Sequence, residues 1–169
     1  MDTIAGLPLH PLIVHAAVVL GPLTALLFVL YAVVPRWRGA LKWPIVIGAV
    51  VSAISGALSA ASGEGLEHLV SSGGEANRSL VEAHAEAGEL AAASLYGLAV
   101  VVIVVIFLLL PPLDRGRKAL GTLGLVAALL ASIFVGYAVF NAGHTGAKSS
   151  WSEVVSDSSN HGTPDSDNG

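Results

Sequence analysis

Four apolar stretches without a single Asp, Glu, Lys or Arg alternate with short polar segments along the chain: about Pro11–Val34, Trp43–Ser62, Leu90–Leu113 and Ala119–Phe140. Each reaches the ~20 residues that a helix needs to cross a ~30 Å hydrocarbon core. Val- and Ile-rich runs also suit buried strands, but strands rarely exceed about ten residues. A strand facing lipid would also leave its backbone groups unpaired, which a helix avoids. The pattern therefore predicts an all-α fold, an integral-membrane antiparallel four-helix bundle with helices at about 11–34, 43–62, 78–111 and 118–142. Residues 1–147 form that domain. Residues 148–169 read as an acidic, mostly disordered tail.

Residues at the predicted helix ends agree with these spans. Pro11 suits a first helical turn, where its missing N–H would have no partner. Pro35 and Pro111–Pro112 stop helices one and three. Gly21–Pro22 falls inside helix one and predicts a kink. Trp37, Trp43 and Tyr31 fall where amphipathic rings favour the membrane interface. Small residues crowd helix two and the end of helix four, permitting close approach of another helix or a flat ligand.

Composition and charge supply the orientation. The 169 residues are 54% hydrophobic and only 12% charged, and mean hydropathy is +0.75. Of the eight cations, Arg36, Arg38, Lys42, Arg115, Arg117 and Lys118 fall in the two short turns, while every acid except Asp114 falls on the other side. The positive-inside rule makes both turns cytoplasmic and places both termini outside. The N-terminus has no basic n-region and its apolar run is too long for a signal peptide, so helix one is expected to be retained. With no cysteine there is no disulfide, thiolate site or covalent haem attachment. No basic run lies outside the turns, so nucleic-acid binding has no support. No nucleophile–base arrangement or phosphate loop argues for an enzyme.

All six histidines, His10, His15, His68, His84, His144 and His161, fall on the outer half. His161 belongs to the tail, and His68 sits among Glu64 and Glu67, its natural ion partners. At about 100° per residue, Glu82, Glu86 and Glu89 occupy about 60° of arc. His84 projects from the opposite side with Leu80, Gly88, Ala91 and Leu95. His84 thus points into the bundle, and Gly88 one turn deeper leaves room for something planar. His144 stands between Gly143 and Gly146, which either end the helix or admit a bulky group. His15 lies among apolar neighbours and needs a partner from another helix. His10 is about 140° from His15 around the helix, so the two cannot chelate one metal as an i, i+4 pair would. An interfacial histidine bonded to a backbone carbonyl is the simpler account of any one of them.

"LHPLIVH" at residues 9–15 resembles the "HPxxVHFP" opening of the bacterial membrane proteins grouped as domain of unknown function 2231. "HAEAGELA" in helix three and "GHTGA" closing helix four are similar to that family's later motifs. The likeness spans residues 9–147, with "HAAV" here where the family usually has "HFPI". The family is often likened to di-haem b-type cytochromes, and the resemblance implies a multi-pass protein of the bacterial plasma membrane.

Three readings follow. The first is b-type haem at the outer leaflet, held by two imidazoles of facing helices in an apolar slot with small residues. His15 and His84 on diagonal helices are the preferred axial pair, His144 and His10 the alternates, and Gly88 and Gly143 make room. Such a site relays single electrons on one side, to or from a quinone or an outer redox protein. The second is copper or zinc on three or four of those imidazoles, His15 and His84 among them. The third is a structural or assembly subunit, within an oligomer or larger complex, whose histidines only satisfy polar contacts.

Overall fold

The computed structural model describes the backbone of residues 3–4, 7–70, 75–110 and 118–160, and the side chains of 12–63, 78–110 and 119–151. Four helices dominate: α1 Leu9–Val33, α2 Arg38–Val70, α3 Glu75–Val104 and α4 Lys118–Asn160. A 3₁₀ turn, Pro35–Trp37, joins α1 to α2, and a π-turn, Val105–Leu109, extends α3. Before α1, Thr3–Ile4 pairs antiparallel with Leu7–Pro8, a two-residue ladder that leaves the architecture all-α.

The helices follow one another around a square. Adjacent helices pack together, and α1 lies diagonally across from α3, as α2 does from α4. Near the centre Gly21 of α1 faces Leu95 of α3 and Val135 of α4. A Cβ at Gly21 would lie 2.6 Å from Leu95 Cδ2, and Leu95 is itself buried. Gly21 is therefore what lets two diagonal helices touch. Pro22 lies inside α1, which runs as one helix from Leu9 to Val33.

All four helices are long and apolar enough to cross a membrane, and no more than 39% of any span is buried in the bundle. Phe140, Ile133, Leu108 and Leu130 stand on the outer wall. In water such a wall would drive aggregation; in hydrocarbon it is the surface that the solvent wets. The protein is a multi-pass membrane protein.

Three features differ from the sequence expectation, the first being that helix two runs Arg38–Val70 rather than about 43–62. Helix four does not stop near residue 142: Gly143 and Gly146 lie within α4, and Ser149 and Ser150 each return a hydroxyl to the Gly146 carbonyl at 2.9 Å. Glycine ends a helix when it adopts a left-handed conformation, and these two remain helical. Tyr31, expected as an amphipathic interface ring, is fully buried inside the bundle. Its hydroxyl donates to the Leu110 carbonyl at 2.5 Å, where the π-turn ends. Arg38 then covers the end of α1, donating from Nε to Tyr31 O and from Nη2 to Ala32 O, both at 3.2 Å. A cation at these orphan carbonyls also suits the helix dipole.

Candidate functional site

The end of the bundle that carries the chain termini holds the histidines. α3 enters it with a wet face: Arg78 Nε pairs with Glu82 at 3.3 Å, both well exposed, and Glu82, Glu86 and Glu89 are exposed. His84 turns to the other side and is half-buried, as the helical phase requires.

The His84 ring lies against α4. Its Nδ1 is 3.3 Å from Thr145 Oγ1, and Thr145 Oγ1 is 3.0 Å from Asn141 O and 3.1 Å from Ala142 O. The single hydroxyl hydrogen of Thr145 is committed to those carbonyls. Its oxygen is therefore placed to accept from His84 Nδ1. Gly146 supplies the floor: a Cβ there would lie 2.9 Å from Cε1 and 3.2 Å from Nδ1 of the same ring.

His144 does not join this contact. It is exposed and stacks on Phe140, ring centroids 6.0 Å apart and planes 6° apart. Two residues around the helix from Gly146, it faces nearly away from His84. His15 is exposed on α1, with an interaction of its own. Gly21, Leu95 and Val135 fix a common level. From there His84 is eleven residues outward, Thr145 ten and His15 six. At 1.5 Å per residue, His84 and Thr145 share a level while His15 lies about 7 Å nearer the middle. α1 and α3 run the same way, so both side chains lean toward the same end and the lean does not close that offset. A Cβ at Gly88 or Gly143 would meet no heavy atom within 4 Å, so both positions have open space beside them.

The side chains of His10 and His68, and all of His161, lie outside the described residues. Among the described residues no three His, Asp or Glu side chains gather as a metal site would require. Sequence reasoning passed over Thr145, although the signal was present. Buried Ala128, Val135, Ala138 and Val139 mark the inward face of α4, and the same phase carried outward reaches Ala142, Thr145 and Gly146 rather than His144.

These features define a four-helix membrane bundle with an interhelical imidazole contact at its terminal end. Over residues 6–159 the chain matches the family described as "Predicted membrane protein (DUF2231)". The chain belongs to that family, and the match runs beyond residue 147 into the extension of α4. No curated protein and no solved structure matches it.

Proposed function

We propose that the bundle binds b-type haem at its terminal end through His84 and relays single electrons on that side of the membrane. The carrying observation is the Thr145–His84 hydrogen bond. Metal-bound histidines characteristically donate their other N–H to an oxygen, which fixes tautomer and ring orientation; the Thr145 hydroxyl oxygen stands within reach of His84 Nδ1. The open space at Gly88 and Gly143 suits a flat, bulky group. Bound iron supplies a reversible one-electron couple. His15, across the diagonal, is the second axial candidate despite its offset, and a quinone or a redox protein on the same side is the electron partner. Copper or zinc is less supported, because the described imidazoles do not converge.

A second reading rests on Gly146. The imidazole fills the hollow above that glycine, and the same hydrogen bond then serves only to tie α3 to α4.

The dithionite-reduced minus oxidised spectrum of detergent-purified protein separates the two. Growth with added 5-aminolaevulinate should give a Soret and α-band change that disappears in His84→Ala. A colourless preparation overturns haem, and metal analysis of the same sample then tests copper and zinc. Carbon monoxide sharpens a positive result: a bis-imidazole iron with His15 excludes it, while an iron held by His84 alone binds it.

A further inference from the structure

At the opposite end, a lysine stands in the lipid-facing wall. Lys42 of α2 is half-buried. Its Nζ lies 4.3 Å from the centre of the Phe107 ring and 5.3 Å from that of Trp43. The two rings meet edge to face at 6.5 Å, and both are exposed, Phe107 by 42% and Trp43 by 58%. Aromatic faces attract the ammonium, yet they carry no negative charge and leave N–H donors unspent. Arg38 is held at the end of α1, where two of its five N–H donors serve the Tyr31 and Ala32 carbonyls. Among the described residues the ion pair is Arg78–Glu82, at the far end. Asp114, the acid that the sequence puts on this side, lies outside the described residues.

A cation held at the hydrocarbon boundary gains from a counter-ion, and an anionic leaflet offers one. The walls beside Lys42 are apolar and outward-facing, with Ile47 59% and Leu108 66% exposed, which fits acyl chains. We propose that Lys42, Trp43 and Phe107 form a seat for the phosphate of an anionic glycerophospholipid. The rings hold the ammonium in place, the phosphate accepts its remaining N–H donors, and the acyl chains run along Ile47 and Leu108. A zwitterionic lipid brings its own cation beside the phosphate and gains less from Lys42.

Trp43 reports on its own site. Trp37→Phe with Trp151→Phe leaves it as the single tryptophan, and the protein is reconstituted in bilayers containing brominated phosphatidylglycerol or brominated phosphatidylcholine. The expected preference for phosphatidylglycerol at Trp43 is about fivefold, the ratio for one surface cation. It should fall to about one in Lys42→Gln and persist in Lys42→Arg. Equal quenching by both lipids in the Lys42 protein overturns the proposal. A preference that survives Lys42→Gln overturns it too, because the charge would then come from elsewhere.

Discussion

The two ends of the bundle are built on opposite principles. At the basic end, a buried tyrosine hydroxyl bridges diagonal helices at 2.5 Å, and an arginine covers the carbonyls beside it. At the terminal end, a half-buried imidazole meets a threonine at 3.3 Å across adjacent helices, with glycine beneath it and open space nearby. At the basic end Tyr31 and Arg38 spend their polar groups on closing the fold, while Lys42 stands outside that network. The other end holds a half-buried imidazole against a single hydroxyl, with glycine beneath it.

Substitutions can break that contrast. Tyr31→Phe should have the largest effect on stability. It strands the Leu110 carbonyl in a buried setting, at a cost of about 1–3 kcal/mol, read as a lowered midpoint of unfolding in mixed detergent–SDS micelles. Equal stability would mean that the basic end is no firmer than the other. Gly146→Ala should come next. Its methyl group displaces the His84 ring, for about 1 kcal/mol of overpacking and complete loss of any His84-dependent absorbance. Retained absorbance would show that the ring does not need its place on α4. Thr145→Val removes the acceptor of the Nδ1–H at nearly constant volume. Hydrogen bonds between membrane helices average about 0.6 kcal/mol, so the unfolding midpoint should move little, whereas ligand occupancy should fall about tenfold or more. Ser52→Ala should be the mildest. The buried Ser52 Oγ has no hydrogen-bond partner among the described residues, so its removal should leave stability unchanged or slightly raised.

The sequence made the four spans legible because membrane solvent imposes a length and polarity rule that few local details can override. The orientation of His84 was legible for a similar reason: three glutamates cannot all face the interior, so helical phase put the imidazole opposite. Tyr31 was not legible. An amphipathic ring near a helix end has two stable environments, and the choice depended on a carbonyl 79 residues away. Gly143 and Gly146 misled as terminators, because a glycine inside a helix looks the same in sequence as one that ends it. The partner of His84 needed the register between α3 and α4, which no single-helix pattern contains.

The Tyr31–Leu110 bond also bears on how the chain is made. The donor enters the membrane with the first helix, and its acceptor is synthesised 79 residues later. At about 5–20 residues per second, the ribosome takes about 4–16 s to bridge that gap. Through that interval the first hairpin holds a phenol whose designated carbonyl does not yet exist. The bond therefore closes only after the third helix has been made, so the first hairpin cannot hold this contact by itself.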